Sequence, residues 1–170
     1  MSRSTNLDIK PIMEKYKSIL PYSSPECRLI AHGIKNGVKP YIERAAKAMA
    51  PYVNKASILV PIPSHSGVAT TTLMLAHAIS NISQSQVMPC IRGRKRMSLY
   101  KIKKRGLPIP ITDDFFGYQL TESVPQDKDI VLIDNVTATR TTAEACLKII
   151  PHARILTFAD DKSARKPPKI

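Results

Sequence analysis

The stretch Asp129-Ile130-Val131-Leu132-Ile133-Asp134 decides the fold of this chain. Four consecutive branched apolar residues between two acids suit a central strand that is covered on both faces. A turn rich in hydroxyl residues follows the strand. After it come apolar residues at helical spacing, namely Ala143, Cys146, Leu147 and Ile150. This succession of strand, turn and helix predicts an α/β fold that is built on a parallel sheet.

Other strand-like segments lie on both sides of this stretch. Ser57–Ile62 is a short run of β-branched residues bounded by proline, and it predicts a second buried strand. Gln86–Ile91 and Ala153–Ala159 supply two more strands, and Phe115–Leu120 is an expected edge strand. Because helical segments alternate with these strands, we expect a mainly parallel sheet flanked by helices.

The ends of the chain differ in composition from this α/β core. Residues 1–55 predict a helical region that packs on the core, residues 56–161 form the core, and residues 162–170 are a loose basic tail. The helical assignment near the start depends on one apolar face, formed by Ile12, Tyr16 and Ile19. At 170 residues, all three parts fit within a single domain.

Composition limits the classes of protein to consider. The sequence lacks the run of roughly 18 apolar residues that a membrane span needs and has no apolar signal core near its first residue. Its three cysteines are far apart and form no Cys-x-x-Cys pair, which argues against a disulfide framework or a cysteine zinc site. We therefore expect a cytoplasmic protein.

The formal net charge of +13 is concentrated in the segment Arg92–Arg105. This segment contains no acid, and its basic residues are Arg92, Arg94, Lys95, Arg96, Lys101, Lys103, Lys104 and Arg105. Such a cluster is typical of contacts with phosphates, pyrophosphate or nucleic acid, and the alternative is a solvated charged loop. Glycines and prolines through Pro110 predict a long loop or an irregular hairpin.

The residues after the central strand form the strongest candidate site. Ligands of parallel α/β sheets bind beyond the carboxyl ends of the strands, and free N–H groups at a helix N-terminus favour phosphate. Asp134 can accept hydrogen bonds from sugar hydroxyls, and the threonines of Ala138–Thr142 can add hydroxyl donors. The alternative is an ordinary N-cap threonine on an ordinary helix.

The segment Val131–Thr142 resembles the motif that binds phosphoribosyl pyrophosphate (PRPP) in type I phosphoribosyltransferases. In that motif, two adjacent acids precede a loop rich in threonine and glycine. Asp134 matches the first acid, and Asn135 occupies the position of the second. Arg140 replaces the usual glycine of the loop. The resemblance implies a phosphoribosyltransferase-like fold.

Two upstream segments extend this resemblance. Leu59–Gly67 is similar to the strand and loop that bind pyrophosphate in the family. Its Val-Pro-Ile-Pro run is especially similar to the ComF-like, competence-protein branch. Leu29–Gly37 looks like that branch's short helix and lysine-containing turn. Together the similar segments span most of the chain, roughly residues 28–161.

The resemblance also implies roles for individual residues. Pyrophosphate would be bound by Ser64, His65, Ser66, Gly67, Arg94 and Arg96. The ribose phosphate would be bound by Ala138, Thr139, Arg140, Thr141 and Thr142. The catalytic group would consist of Asp134, Asn135, Lys101 and Lys103. Mg²⁺ would be held through the ligand's oxygens, without direct protein ligands.

The implied function is transfer of ribose phosphate from PRPP to an acceptor, expected to be a nucleobase, with release of pyrophosphate. The alternative is a noncatalytic regulator on the same fold, or a nucleic-acid-binding protein related to DNA uptake that uses Arg92–Arg105. The sequence identifies neither the acceptor nor the oligomeric state, so a monomer and a homo-oligomer both stay open.

Overall fold

The computed structural model describes residues 15–108 and 112–165, which form an α/β fold with a mainly parallel sheet, as predicted. Along the chain the elements are β1 (Tyr16–Pro21), α1 (Pro25–Lys35), α2 (Lys39–Met49), a 3₁₀ helix (Ala50–Tyr52), β2 (Ser57–Pro61), α3 (Thr71–Ser83), β3 (Gln86–Val87), β4 (Ile91–Arg92), α4 (Leu99–Lys104), α5 (Asp113–Phe116), β5 (Gln119–Leu120), β6 (Asp129–Thr137), α6 (Thr141–Ile149), β7 (Arg154–Asp160) and a second 3₁₀ helix (Lys162–Arg165). The sheet order is β1-β7-β6-β2-β3 with every pairing parallel, and β4 pairs separately with β5 in antiparallel fashion.

The position of β6 explains its unbroken apolar sequence. Val131 and Ile133 pack into a core with α1, α2 and α3, whereas Ile130 and Leu132 pack into a second core with α6. Successive side chains of a strand point to opposite faces of a sheet. A central strand with helices on both sides therefore needs an apolar residue at every position. No described helix is long and apolar enough to cross a membrane.

The helical prediction for Tyr16 and Ile19 is wrong, because both residues lie in the edge strand β1. Their spacing fits a helix face, but β1 pairs in parallel with β7 from Tyr16 to Pro21 and satisfies its backbone groups there. This pairing joins segments that are far apart in sequence, so local periodicity could not reveal it. Ile12, the third residue of the predicted face, lies outside the described residues.

The basic segment is more ordered than predicted. Instead of a continuous loop or hairpin, it contains α4, which begins at the N-cap Ser98 and buries Ile102. The helix after β2 begins only at Thr71, and Gly67 before it has a positive φ of 86° that is not helical. The edge strand predicted over Phe115–Leu120 is reduced to β5, since α5 occupies its first two residues.

The chain after β7 turns back onto the sheet instead of forming a loose tail. Lys162–Arg165 is a 3₁₀ helix, and Arg165 forms an ion pair with Asp160 at 2.7 Å. Residues 166–170 of the predicted tail lie outside the described part of the chain.

A half-buried ion pair lies where β6 and β7 begin, at the end of the sheet opposite to the carboxyl ends of these strands. Arg154 donates to both carboxylate oxygens of Asp129, at 2.8 and 2.9 Å, and to the carbonyl oxygen of Tyr52 at 2.8 Å. The Ser57 hydroxyl adds a bond to Asp129 at 2.7 Å. Burial by itself would raise the pKa of Asp129, but Arg154 and the Ser57 hydroxyl outweigh it and hold that pKa below its ordinary value.

Candidate functional site

A cavity of about 690 Å³ opens at the carboxyl ends of β2 and β6. Its position matches the ligand sites of parallel α/β sheets, and its volume suits a small molecule. The predicted site residues that line it are Ser64, His65, Arg96, Lys103, Asp134, Asn135, Ala138, Thr139, Arg140 and Thr142. Those that do not line it are Ser66, Gly67, Arg94, Lys101 and Thr141.

Asp134 lies inside β6, not at its end as the sequence indicated, because the strand continues to Thr137. β2 pairs with β6 only as far as Ile133, so the β2-facing edge of β6 is open beyond that residue. The backbone N–H of Asn135 donates to the Asp134 carboxylate at 2.8 Å. Burial raises the pKa of Asp134 to about 6, although the bond from Asn135 opposes the shift.

Asn135 links the candidate site to α1. Its side-chain amide donates to the carbonyl oxygen of Ala31 at 2.9 Å, across 104 positions of sequence. Its side-chain carbonyl oxygen is buried, and no described residue donates a hydrogen bond to it. A buried acceptor without a donor is costly. A ligand hydroxyl in the cavity would satisfy this oxygen, which fits the sugar-binding role implied for Asn135.

The turn Ala138–Thr142 brings hydroxyl groups to the N-terminus of α6. The hydroxyls of Thr139 and Thr141 lie 2.8 Å apart, and the N–H of Thr141 points to the Thr139 hydroxyl at 3.4 Å. Thr139 and Thr142 line the cavity, whereas Thr141 does not. The N-cap residue of α6 gives no side-chain bond to the helix, so the ordinary threonine cap considered from the sequence is absent from this described helix.

Arg140 keeps the backbone conformation that a glycine would adopt in this turn. Its φ of 66° lies in the left-handed region, which costs a non-glycine residue roughly 1–2 kcal/mol. Its guanidinium lies 4.3 Å from the centre of the Tyr16 ring in β1, where a cation–π contact offsets part of that cost. The Arg140 side chain therefore contacts the edge strand β1, and the residue also lines the cavity beside Thr139 and Thr142.

The loop Ser64–Gly67 after β2 is bonded to the basic segment. Gly93 donates to the carbonyl oxygen of Gly67 at 2.8 Å, and the Arg96 N–H donates to the carbonyl oxygen of His65 at 2.8 Å. A Cβ atom on Gly67 would lie 2.4 Å from the Gly93 oxygen, so only glycine permits this approach. These two bonds hold the first part of the basic segment against the loop.

Arg96 lines the cavity, and its guanidinium has no carboxylate partner among the described residues. It lies over the rings of Phe116 and Phe115, at 4.6 and 5.1 Å from their centres, and 3.5 Å from the Tyr118 hydroxyl. Its Nε atom is buried, and the described residues supply no acceptor for it. A cation in this state favours an anionic ligand.

The lysines of α4 separate into two groups. Lys103 lines the cavity, whereas Lys101 and Lys104 are exposed outside it. The structure therefore brings one of the two lysines predicted as catalytic to the cavity and leaves Lys101 on the outer surface. Arg94, also predicted to bind pyrophosphate, lines a separate cavity of about 440 Å³ beside β4 and β5.

Sequence reasoning missed some charged residues of the site. Asp161 lines the cavity directly after β7, and a carboxylate at the end of a predicted parallel strand was a usable signal. Lys35, at the end of α1, also lines the cavity, and its Nζ atom lies 5.8 Å from the centre of the Tyr100 ring. Nothing local in the sequence indicates that Lys35 and Tyr100 meet.

The cavity does not contain a ready-made metal site. Within residues 15–108 and 112–165, no three His, Cys, Asp or Glu side chains are placed to hold one metal ion. Asp134 and Asp161 nevertheless add two carboxylates to the cavity wall. This donor set fits a Mg²⁺ ion that is carried mainly by ligand oxygens, as Mg²⁺ commonly is beside phosphates.

No protein-family model and no curated protein matches the chain. Among solved structures, the chain is similar to a hypothetical protein from Neisseria gonorrhoeae with bound ppGpp, at 14% identity and a TM-score of 0.42 over 77% of this chain and 75% of that chain. It is also similar to a hypoxanthine phosphoribosyltransferase from Staphylococcus aureus. The tetragonal form gives 15% identity and a TM-score of 0.42, covering 85% of this chain and 70% of that chain. The orthorhombic form gives 17% and 0.40, covering 82% and 70%.

Proposed function

We propose that the chain binds PRPP and transfers its ribose phosphate to an acceptor, expected to be a nucleobase, with release of pyrophosphate. The observation that carries this proposal is the meeting of two turns at one cavity. The loop after β2 contributes Ser64 and His65, and the turn after β6 contributes Thr139 and Thr142, with Asp134 also on the wall. The ComF-like branch of the family stays a prediction.

The charges of the cavity support a ligand with an anion at one end and hydroxyl groups in the middle. Arg96 and Lys103 are cations on the side of the basic segment. The turn after β6 offers backbone N–H groups and threonine hydroxyls, which suit a phosphate monoester. Asp134 and the unpaired oxygen of Asn135 are acceptors suited to ribose hydroxyls.

In the proposed reaction, a nucleophilic atom of the acceptor forms a bond to the anomeric carbon of the ribose. The bond from that carbon to the pyrophosphate oxygen breaks, and the electron pair leaves with pyrophosphate. Arg96 and Lys103 stabilise the negative charge that grows on this leaving group. Mg²⁺, when bound to the ligand oxygens, would neutralise further charge there. Asp134 orients the ribose.

The test is PRPP binding by calorimetry with and without Mg²⁺, followed by a pyrophosphate-release screen over free bases. Asp134→Ala should lower PRPP affinity by about 1.5–3 kcal/mol, through loss of a charge-assisted contact. Asp127→Ala removes an exposed acid outside the cavity and should leave affinity unchanged. Absence of PRPP binding by the unaltered protein would reject the proposal.

A second candidate function is nucleic-acid binding by the basic segment. It is favoured by the exposure of seven of the eight cations, all except Arg96, and by the absence of ion pairs to them from described residues. A surface of this kind contacts phosphates without selecting sequence. Affinity should then fall steeply with salt, and each phosphate-contacting lysine should contribute about one unit to the log–log slope.

Lys103 and Lys104 form a matched pair that separates the two functions. Both are exposed lysines of α4, but only Lys103 lines the cavity. If the cavity binds PRPP, Lys103→Gln should lower turnover more than PRPP affinity, and Lys104→Gln should change neither. If the segment binds nucleic acid, the two variants should lower the salt slope similarly. A lack of response in both assays would identify the segment as a solvated charged surface.

A further inference from the structure

The C-terminal 3₁₀ helix is bonded to the turn after β6 through one side chain. The Arg165 guanidinium donates to both carboxylate oxygens of Asp160, at 2.7 and 2.9 Å, and to the carbonyl oxygen of Ala138 at 2.8 Å. A planar guanidinium that donates to a carboxylate through two N–H groups is fixed in orientation. Asp160 therefore aims Arg165 at the Ala138 carbonyl.

The bond to Ala138 fixes the orientation of a whole peptide group. A trans peptide is planar, and its C=O and N–H point in opposite directions. Holding the Ala138 oxygen toward Arg165 therefore directs the N–H of Thr139 away from Arg165. No described residue accepts a hydrogen bond from this N–H, and both Ala138 and Thr139 line the cavity.

The turn needs such a restraint because its next residue has an unfavourable backbone conformation. Arg140 holds a left-handed backbone without being glycine, so the turn would relax if its neighbours allowed it. On the other side, the N–H of Asp161 donates to the carbonyl oxygen of Thr137 at 2.8 Å. Bonds from the chain after β7 thus hold two successive carbonyls, those of Thr137 and Ala138.

We propose that Arg165 is a positioning residue for the phosphate-binding turn, and that the 3₁₀ helix Lys162–Arg165 is in this way part of the binding site. The proposal rests on the proposed function, because it assigns the Thr139 N–H to the ribose phosphate. Arg165 itself does not line the cavity, so it acts through the turn and not on the ligand. Lysine could donate to Ala138 or to Asp160 but lacks the planar fork that serves both.

The experiment compares Arg165→Ala, Arg165→Lys and Lys162→Ala for the binding of two probes, ribose 5-phosphate and inorganic pyrophosphate. Arg165→Ala should weaken the binding of ribose 5-phosphate by about tenfold to a hundredfold. This is the range seen when residues that orient metal ligands are lost. Arg165→Lys should recover part of this loss. Lys162→Ala removes the same charge from the same 3₁₀ helix and should have no effect. Pyrophosphate affinity should stay unchanged, because its loop follows β2.

Equal losses for both probes, or an unchanged ribose 5-phosphate affinity in Arg165→Ala, would overturn the proposal. If the unaltered protein binds neither probe, the proposed function fails, and amide hydrogen exchange then tests the positioning role by itself. Exchange at Thr141 and Asp161, whose N–H groups donate to the turn, should be faster in Arg165→Ala than in Lys162→Ala. Equal exchange rates would overturn the role of Arg165 independently of any ligand. A thermal melt of each variant shows that the comparison is made on folded protein.

Discussion

The sheet has an amino edge, where its parallel strands begin, and a carboxyl edge, where they end. The two carry similar sets of hydrogen bonds with different consequences. Arg154 at the amino edge and Arg165 at the carboxyl edge each donate to both oxygens of an aspartate and to one backbone carbonyl. The Arg154 side chain is 9% exposed and that of Arg165 is 24% exposed. The first bond set joins β7, β6 and the first 3₁₀ helix, and the second holds a turn beside the cavity. Burial and the identity of the carbonyl, not the chemistry of the pair, therefore decide what each arginine does.

The largest effect should come from the amino edge. Arg154→Ala leaves the Asp129 carboxylate half-buried without its partner and removes a bond to Tyr52. We expect the free energy of unfolding to fall by about 3–5 kcal/mol, as measured by urea denaturation. Lys55→Ala, which removes an exposed charge, is the control. A loss below about 1 kcal/mol would mean that the two edges do not differ in this way.

A smaller effect is the pH dependence of folding stability, which should have opposite signs for Asp134 and Asp129. The pKa of Asp134 in the folded chain is about 6, above its ordinary 3.8, so the folded state keeps a proton that the unfolded chain releases first. Stability should therefore fall as pH rises from about 4 to 6. Because asparagine does not ionise, the Asp134→Asn variant should not lose stability over this pH range. It should be more stable than the unaltered protein above pH 6, by at most about 3 kcal/mol, and equally stable below pH 4.

Asp129→Asn provides the opposite case for the same urea titration. The pKa of Asp129 lies below 3.8 in the folded chain, so its ionised form stabilises the fold at neutral pH. The variant should be less stable than the unaltered protein at pH 7, and the difference should shrink as pH falls through the folded pKa, below about 4. Parallel pH profiles for the two variants would contradict the assignment of opposite shifts.

Arg165→Ala should cost much less stability than Arg154→Ala. Its ion pair with Asp160 is partly exposed, and pairs of this kind contribute about 0–1 kcal/mol. We expect an unfolding free energy within about 1 kcal/mol of the unaltered protein in the same urea titration. A cost near that of Arg154→Ala would make Arg165 a stabilising residue of the fold and weaken its assignment as a positioning residue.

The smallest expected effect is the response of these two substitutions to salt. Mobile ions screen partly exposed charges more than buried ones. The stability cost of Arg165→Ala should therefore decrease between low salt and about 1 M salt, whereas that of Arg154→Ala should change little. Denaturation at both salt concentrations measures this, and Lys162→Ala corrects for the general change in net charge. Equal salt responses would show that burial does not explain the different roles of Arg154 and Arg165.

The sequence was sufficient where one segment contains the whole signal. β2, β6 and β7 were predicted because each is a short apolar run, and α6 was predicted because Ala143 and Cys146 lie at helical spacing. β1 was missed because its stabilising partner, β7, is distant in sequence. α4 was missed because its six residues include three lysines and only one buried side chain, that of Ile102.

The candidate site could likewise be predicted only in part from the sequence. The two turns could be placed at one edge of the sheet, since the carboxyl ends of parallel strands meet there. The sequence could not show which of the predicted side chains face the cavity, and this is where Arg94 and Lys101 differ from Thr139 and Lys103. Nor could it show the bond from Asn135 to Ala31 or the bond from Arg165 to Ala138, because each joins distant segments.

The close approach of Gly67 to Gly93 affects the entropy of ligand binding. Fixing one backbone residue costs roughly 1–2 kcal/mol, and a loop that is floppy before its ligand arrives must lose that freedom during association. In this protein the bonds from Gly93 to Gly67 and from Arg96 to His65 have already ordered the loop after β2. Folding bears that entropic cost, so a ligand that contacts His65 meets a surface already in its final shape.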